Sequence, residues 1–504
     1  MTDRVITRRH ALALGGAGVA TGLLLLRGGW TDDQSGASVL GQSGTTTTTT
    51  LPAPVDPPVG APLQNPPEIV SVDGVLTALL TAATTSAVIN GKTVSGLMTY
   101  NGVWPSPTMR IRPGDTFKIA LANQIDKPTN LHWHGFHVSP KDNSDNVFLS
   151  INPGETFDYE VEVPEDHQSG LFWYHPHLHG QTDDQVYGGL AGAIVIDGDH
   201  AEVPGIAGST EHLMMLKDIT VDAATETQFV APGDTTPATQ LFTVNGQVNP
   251  SIEARPGERR LFRIGNLSNQ AFFPLSVEGH KIDIVAIDGT TLPEVWTTDK
   301  FLMVPGGRVE FVVTFGDEGA YKVKTAGYEL DFPGGNYPEA TLATVQVQGE
   351  PVTDTPPLPK QLVPLSDIPL EDLRGVKIDR KRKLVFSTKP QPDGPPDFEI
   401  DGTVFDHDRV DQKVELDAAE EWLLVNADDS PHPFHIHQND FQVIKINGKK
   451  VKSPLHWNDT ISIPASGNVT IRQRYKDFTG EWVYHCHILF HEDHGMMGTV
   501  SCTE

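Results

Sequence analysis

Cysteine is almost absent from this chain of 504 residues, which contains only Cys486 and Cys502. One disulfide is the most that they could form, so we expect stability to come from packed cores and bound metals. Methionine is scarce too, with 8 residues and no cluster, which argues against a methionine-lined metal site. Basic residues number 37 against 65 acidic ones, a net charge of −28. Such a surface repels phosphate groups and anionic lipids, which argues against nucleic-acid binding and favours an acidic, soluble, secreted protein.

A long apolar stretch lies near the N-terminus, where residues 11–26 follow Arg8 and Arg9. Paired arginines before such a run are typical of a twin-arginine export signal. The alternatives are an ordinary secretory leader or an uncleaved anchor, although four glycines within the run disfavour a permanent membrane span. Residues 1–67, including Thr45–Thr50 and a proline-rich stretch, are predicted to form this signal and a disordered tether. We therefore expect export to the periplasm or the exterior.

A motif repeated three times indicates the architecture. Tyr100-Asn101-Gly102, Val244-Asn245-Gly246 and the weaker Ile400-Asp401-Gly402 each open a similar segment. Their central residues 101, 245 and 401 lie 144 and 156 residues apart, so each unit has the size of a domain. Short, alternating, β-branched segments with turns between them predict an all-β fold of three Greek-key sandwiches or barrels. The expected domains are 68–200, 208–350 and 360–504.

Ten of the 20 histidines fall into four short clusters in the first and third units. Because side chains alternate faces along a strand, His-x-His places both imidazoles on one side. Three such pairs can converge on one polynuclear metal site: His132 with His134, His175 with His177, and His435 with His437. His485 and His487 share a face in the fourth cluster and can join that site.

Cys486 lies between His485 and His487 and points to the opposite face. It can bind one metal while its neighbours bind others behind it. His432 has the opposite parity to His435, so it can join Cys486. A thiolate with two imidazoles and a weak axial thioether is a blue-copper set, here Cys486, His432, His491 and Met496.

The second unit lacks the corresponding histidines. In our alignment Leu275 and Val277 occupy the positions of His435 and His437. We therefore predict a copper-free spacer domain that could also form a wall beside the substrate.

Zinc sites or scattered core histidines are the structural alternative. One His-x-His pair would be weak support for a copper site. Zinc gives no reason, however, to combine a mononuclear thiolate site with eight further imidazoles. The complete set therefore favours copper.

In their order and spacing these clusters resemble the four copper-binding motifs of the multicopper oxidases, a family that includes laccases, bilirubin oxidases and cuprous oxidases. The resemblance covers nearly the whole chain after the tether and implies three cupredoxin-like domains that hold four coppers. It implies a type 1 copper at Cys486, His432, His491 and Met496, and a type 2 copper at His132 and His435. It implies one type 3 copper at His134, His175 and His487, and the other at His177, His437 and His485.

The resemblance implies one-electron oxidation of a substrate at the type 1 copper, with Cys486 connecting it to the cluster that reduces dioxygen to water. A broad, laccase-like oxidase of phenols and aromatic amines is the leading prediction, with a modest potential because of the methionine ligand. Oxidation of cuprous, ferrous or manganous ions is the alternative. An electron carrier or copper-storage protein and a copper nitrite reductase are less favoured, since neither needs all eight imidazoles. We expect a monomer, since one chain can complete the cluster.

Dioxygen reduction needs protons, for which Glu492 and Asp145 are the candidate relay residues. Glu492 follows His491 directly and matches an acidic residue given this role in bacterial relatives. Asp145 is less certainly aligned because Asp142 is close, and either carboxylate could instead be a solvated loop residue. His137, His179, His280 and His494 are not expected to bind copper, and Cys502 is expected to be a free thiol.

Overall fold

Short β-strands make up about half of the residues that the structure describes, and only 3% are helical, which confirms the predicted all-β class. The computed structural model describes residues 57–198, 203–231, 234–330 and 335–504. The predicted export signal at Arg8 and Arg9 lies outside these ranges. Within the described residues, no helix is long and apolar enough to cross a membrane.

Among the described residues, the first unit comprises nine strands and one short helix. They are β1 (Glu68–Val70), β2 (Val75–Ile89), β3 (Lys92–Tyr100), β4 (Ser106–Ile111), β5 (Thr116–Asn123), β6 (His132–His134), β7 (Thr156–Glu162), β8 (Gly170–His175), α1 (Thr182–Gly188) and β9 (Gly192–Ile196). The strand orders are β1-β4-β9-β8-β6 and β3-β2-β5-β7. Along β5 the alternating pattern buries Phe117, Ile119 and Leu121, while Lys118 is exposed.

Thirteen strands form the described part of the second unit. They are β10 (Thr210–Asp222), β11 (Ala238–Val244), β12 (Ser251–Ala254), β13 (Arg259–Asn266), β14 (Phe273–Val277), β15 (Ile282–Ile287), β16 (Thr290–Thr298), β17 (Phe301–Met303), β18 (Arg308–Thr314), β19 (Gly319–Thr325), β20 (Tyr328–Glu329), β21 (Asn336–Tyr337) and β22 (Ala340–Val347). Two larger sheets have the orders β11-β10-β13-β18-β15-β16 and β12-β22-β19-β14-β17.

The third unit follows a short 3-10 helix at Leu365–Asp367. Its elements are β23 (Arg380–Lys389), β24 (Asp397–Ile400), β25 (Gln412–Glu415), β26 (Ala419–Asn426), β27 (His432–Ile436), β28 (Phe441–Ile446), β29 (Lys449–Lys450), β30 (Thr460–Ile463), β31 (Asn468–Arg474), β32 (Gly480–Cys486), α2 (Leu489–Asp493) and β33 (Met497–Thr503). The sheet orders are β24-β23-β26-β31-β28-β29 and β25-β33-β32-β27-β30, the same plan as in the second unit.

The repeated sequence motif forms the same turn in all three units. Asn101, Asn245 and Asp401 have φ values of 57°, 51° and 54°, and the glycine after each also has a positive φ. Asparagine, aspartate and glycine tolerate this left-handed conformation better than other residues. The repeat read from the sequence is therefore a repeat of backbone geometry.

The end of the expected tether differs from the prediction. Residues 57–67 are part of the described structure, and the backbone N–H groups of Gly60 and Leu63 donate to Asn249 and Ser251 at 2.8 Å. These bonds place the segment beside the start of β12. This strand lies at the edge of its sheet, so its outer backbone groups can pair with another extended segment. Proline-rich composition suggested disorder up to residue 67, but an extended chain can still pair with a strand.

Candidate metal centres

Cys486, His432 and His491 form a buried cluster of metal-binding side chains. Cys486 Sγ lies 3.6 Å from the Nδ1 atom of each histidine, and these two Nδ1 atoms are 3.3 Å apart. His432 begins β27, Cys486 ends β32, and His491 lies in α2. Met496 is also buried, and its backbone carbonyl accepts a hydrogen bond from the Cys486 N–H. All four residues predicted for the mononuclear site therefore lie together.

The residues around this cluster favour the binding of a metal ion. Nε2 of His432 lies 2.9 Å from Asp428 Oδ2, so it can donate a hydrogen bond there and leave Nδ1 free to face Cys486. Burial raises the pKa of the Cys486 thiol, so a bound cation is needed to stabilise the thiolate. The ring of Phe398 covers His491 at 4.0 Å between centroids.

Eight further imidazoles meet in a second buried cluster. They come from strands and following turns of the first and third units: His132, His134, His175, His177, His435, His437, His485 and His487. Nε2 of His177 and Nε2 of His485 face each other at 3.0 Å. In β-sheet register, His132 lies opposite His175, and His435 lies opposite His485. The alternation rule thus brings all the predicted His-x-His pairs to one place.

The grouping of these histidines agrees only partly with the expected division. Donor atoms of His177, His437 and His485 lie within 4.8 Å of one another, as expected for one metal. His134 and His175 instead group with His132, while His487 lies 5.0 Å from His134 between ring centroids. Two pairs of these rings pack face to face, His134 on His435 and His132 on His437.

Unpaired nitrogen atoms indicate that the second cluster suits metal ions. Buried polar atoms normally have hydrogen-bond partners, and leaving them without one is costly. Burial also lowers the pKa of His132, His134, His177 and His437, so these rings are neutral and can bind a metal at neutral pH. Ring nitrogens without a hydrogen-bond partner occur in His132, His134, His175, His177, His435, His437 and His487.

Cys486 joins the two clusters through the chain itself. It pairs in register with Phe434, while its neighbour His485 pairs with His435. The thiol therefore faces His432 and His491, and the imidazoles of His485 and His487 face the larger cluster. One peptide bond on each side connects the two sets of ligands.

Comparisons with known proteins agree with this geometry. Three family models described as "Multicopper oxidase" match residues 81–201, 210–348 and 378–503. The chain belongs to the multicopper oxidase family. A multicopper oxidase of Staphylococcus aureus is 28% identical over 424 residues, which cover 81% of this chain and 85% of the relative.

Two solved structures share the fold over most of their length. A multicopper oxidase from Campylobacter jejuni, described as a metallo-oxidase, has a TM-score of 0.75 and 28% identity, covering 89% of this chain and 96% of the other. A laccase from Pediococcus acidilactici has a TM-score of 0.75 and 26% identity, covering 90% and 95%. The chain is thus a copper oxidoreductase built from cupredoxin-type domains, with dioxygen as electron acceptor.

In this multicopper oxidase both candidate relay carboxylates contact predicted ligands. Asp145 Oδ1 lies 2.9 Å from His132 Nδ1, and burial raises the pKa of Asp145 to about 7. Asp142, the alternative in the alignment, is exposed. Glu492 Oε2 lies 3.0 Å from His485 Nδ1, and burial raises the pKa of Glu492 as well.

Two charged residues beside the histidine cluster were missed by the sequence analysis. Asp459 Oδ1 lies 3.3 Å from His134 Nε2, and Arg308 donates to both Asp459 oxygens. Asp459 lies just before β30, and Arg308 begins β18 in the second unit. Neither stands in a recognisable motif, so no local signal could have identified them. Only the packing of three units brings them together.

The histidines that were not expected to bind metal lie elsewhere. His137 contacts the Gln438 carbonyl and Asp477, whereas His494 contacts the Phe490 carbonyl. His179 is exposed, and His280 packs against Tyr321. Cys502 is a free, buried thiol in β33.

Proposed function

We propose that this enzyme is a laccase-like multicopper oxidase that oxidises phenols and aromatic amines by one electron at a time. The placement of Cys486 between two clusters of buried metal-binding side chains is the observation that supports the proposal most. Copper bound in these clusters would accept electrons from the substrate and reduce dioxygen to two waters.

We assign four coppers to the chain. The type 1 ligands are His432, Cys486, His491 and Met496, and the type 2 ligands are His132 and His435. The type 3 ligands are His134, His175 and His487 for one copper, and His177, His437 and His485 for the other. The unpaired ring nitrogens and neutral imidazoles support this assignment.

Methionine burial favours organic substrates over a dedicated cuprous-ion site. Six of the seven methionines in the described residues are buried, and Met98 is half-buried, so no exposed thioether is available for a soft cation. A thioether ligand from Met496 would favour a modest potential, suited to easily oxidised donors. A redox titration that found a high-potential blue copper would contradict this part of the proposal.

Metal-ion oxidation is the second candidate, and Asp428 is the observation that favours it. Its side chain is 18% exposed and accepts the hydrogen bond from His432 Nε2. Burial opposes ionisation, but the bonds from His432 and Thr388 lower the pKa of Asp428 below its usual range. A carboxylate between solvent and a copper ligand could hold a small reducing cation.

A comparison of substrates distinguishes the two candidate functions. We would measure kcat/KM for a phenolic dye and for cuprous, ferrous and manganous ions, in the wild type, Asp428→Asn and Asp429→Asn. Asp429 is exposed and bonds Ser466, so it is the matched control. Phenol oxidation that exceeds the oxidation of all three ions, with no selective loss of ion oxidation in Asp428→Asn, supports the laccase-like function. Faster ion oxidation that falls only in Asp428→Asn supports the alternative.

Glu492 and Asp145 are proposed as proton donors for dioxygen reduction. Both are buried carboxyl groups, and each lies about one hydrogen bond from a ligand imidazole. The substitutions Glu492→Gln and Asp145→Asn remove the acidic proton but keep the shape of the side chain. We expect kcat to fall at least 10-fold while the blue absorption stays unchanged. An unchanged kcat would contradict the relay.

The biological setting is proposed from the sequence. We propose that residues 1–67 contain a twin-arginine signal and that the enzyme acts in the periplasm or outside the cell as a monomer. We also propose domain limits of 68–200, 208–350 and 360–504, with no copper in the second domain. Loss of export in an Arg8→Lys, Arg9→Lys variant would support the twin-arginine route, and normal export would contradict it.

A further inference from the structure

The second unit reaches the eight-histidine cluster through one turn. This turn joins β17 to β18 and contains Gly306 and Gly307, and Arg308 follows it as the first residue of β18. A Cβ atom at Gly306 would lie 2.7 Å from Nε2 of His487, so the turn packs directly on that imidazole. Arg308 is 1% exposed and extends from the turn toward the first and third units.

Arg308 forms a two-pronged ion pair with Asp459. Its Nη1 and Nη2 atoms donate to Oδ1 and Oδ2 of Asp459 at 2.8 and 2.6 Å. Nε of Arg308 donates to the carbonyl of Leu171 at 3.1 Å, and its backbone N–H donates to Asp288. A planar guanidinium held at so many points fixes the orientation of a carboxylate, which a lysine could not do.

Asp459 in turn contacts one predicted ligand from each copper-binding unit. Its Oδ1 atom lies 3.3 Å from Nε2 of His134, and its backbone carbonyl lies 2.9 Å from Nδ1 of His435. If these nitrogens carry the protons, Nδ1 of His134 and Nε2 of His435 remain for metal. Those two nitrogens are the ones that have no hydrogen-bond partner.

The ion pair with Arg308 disfavours Asp459 as a metal ligand. Its oxygen belongs to a group with His134 and His435 that is compact enough to hold an ion. Arg308 occupies both carboxylate oxygens, however, and Thr460 donates to Oδ1 at 2.7 Å. With its charge balanced by Arg308, the carboxylate can accept a hydrogen bond from the imidazole of His134.

All three units meet at this point. Gly135 follows His134 in the first unit, and its φ is +86°. A Cβ atom there would lie 2.6 Å from Asp459 Oδ2 and would also overlap Nη2 of Arg308. A residue with a side chain would therefore push the ion pair away from the histidines.

We propose that Arg308 is a positioning residue of the histidine cluster, which holds Asp459 so that His134 and His435 present the correct ring nitrogens to metal. The second domain would then contribute to the metal site although it supplies no ligand. This inference rests on the proposed assignment of His134 and His435 as copper ligands.

The experiment compares Arg308→Met with Arg263→Met in copper-loaded full-length protein. Arg263 is the matched control because it is also a buried arginine of the second unit, paired with Glu310 at 2.5 Å and with Glu211 at 2.7 Å. We would measure copper per chain, the blue absorption, the electron paramagnetic resonance of the type 2 copper, and copper release to a chelator.

We expect Arg308→Met to alter the type 2 resonance and weaken copper retention in the cluster, on the order of 10- to 100-fold, with the blue absorption unchanged. Arg263→Met should keep both signals even if it lowers the melting temperature equally. Arg308→Lys, which keeps the charge but not the two-pronged geometry, should be intermediate. Equal resonance and retention in the Arg308 and Arg263 variants would overturn the inference. Absence of type 2 copper from the wild type would overturn the ligand assignment and this inference with it.

A second pair of variants applies if Arg308→Met does not fold. Gly135→Ala inserts a methyl group between the histidine motif and the ion pair without changing any charge. Gly154→Ala is its control, because Gly154 has a φ of +83° and no atom within 4 Å of the added Cβ. We expect only Gly135→Ala to alter the type 2 resonance. The same spectrum in both variants would overturn the proposal.

Discussion

Strands β14 and β27 occupy the same place in the second and third units, yet only one carries histidines. In β14, Leu275 lies opposite Thr325, and in β27, His435 lies opposite His485. Each strand is fourth in a five-stranded sheet of the same order. The same strand arrangement therefore presents imidazoles in one unit and packs a core in the other, according to the side chains that the strand carries.

The difference has an energetic consequence. Leu275 and Val277 are buried apolar residues whose burial stabilises the second unit by roughly 1.5–3 kcal/mol each. His435 and His437 are buried with ring nitrogens that lack partners, which is unfavourable until a cation binds them. We therefore expect the third unit to gain stability from a bound metal and the second unit to gain none.

Making β27 resemble β14 should have the largest effect. We expect the double variant His435→Leu, His437→Val to lose oxygen uptake completely, because two predicted ligands are removed. Without copper, the variant should be more stable than the metal-free wild type by roughly 1–3 kcal/mol, since unpaired imidazoles are replaced by apolar groups. Oxygen electrode and denaturant unfolding measurements check both points. A variant that keeps oxygen uptake would contradict the ligand assignment.

Removing copper from the wild type should have the second largest effect, a loss of stability. A ligand present at 1000 times its Kd stabilises the folded state by about 4 kcal/mol. We therefore expect the melting temperature to fall when a chelator removes copper and to recover when copper is added. Calorimetry with and without chelator tests this. Equal melting temperatures would mean that the imidazole cluster gains nothing from metal.

The reverse exchange in the second unit should only destabilise. Leu275→His places a polar ring in a packed core and should cost roughly 2–4 kcal/mol. Because its opposite partner is Thr325 rather than a histidine, we expect no additional bound copper. Denaturant unfolding and a copper count measure the two outcomes. An additional copper in the variant would contradict this prediction, because it would mean that one added imidazole is enough to create a copper site in the second unit.

His167 gives the smallest effect and shows what a buried histidine looks like without a metal. Its Nδ1 donates to the Gln168 carbonyl, and its Nε2 accepts from the His137 N–H at 3.0 Å. Burial lowers the pKa of His167 to about 4, below about 6.5 in the unfolded chain. Below pH 6.5 the unfolded state thus binds more protons than the folded state. The free energy of unfolding therefore falls as the pH falls toward 4.

At pH 5 the loss from His167 amounts to about 2 kcal/mol relative to neutral pH. His167→Gln keeps a donor and an acceptor but cannot titrate in this range, so its stability should fall less between pH 7 and pH 5. Unfolding curves at both pH values measure the difference. The same pH dependence in both proteins would show that His167 is not held neutral by burial.

Much of the candidate metal site, as a cluster of side chains, could be predicted because strand parity is a local rule. It placed His132, His134 and Cys486 on their faces before any packing was known, and the turn at Asn101 marked the repeat. The all-β class followed from the same short alternating segments. The family and the fold are confirmed by the structure and the comparisons.

The remaining features depend on packing between distant parts of the chain. Arg308 and Asp459 lie 151 residues apart and have no sequence signature, so only the assembled units reveal their ion pair. The choice between Asp142 and Asp145 depends on which loop residue turns inward. Pairing of residues 57–67 with β12 depends on an available strand, which composition does not show.

The most direct test of the account is to load the purified protein with copper, count the metal, record the visible spectrum and measure oxygen uptake with a phenolic dye. We predict four coppers per chain, an intense blue band from the Cys486 thiolate and oxygen uptake that depends on the dye. A folded, copper-loaded protein without the blue band would contradict the role of Cys486. One copper with a blue band and no oxygen uptake would contradict the role of the eight histidines.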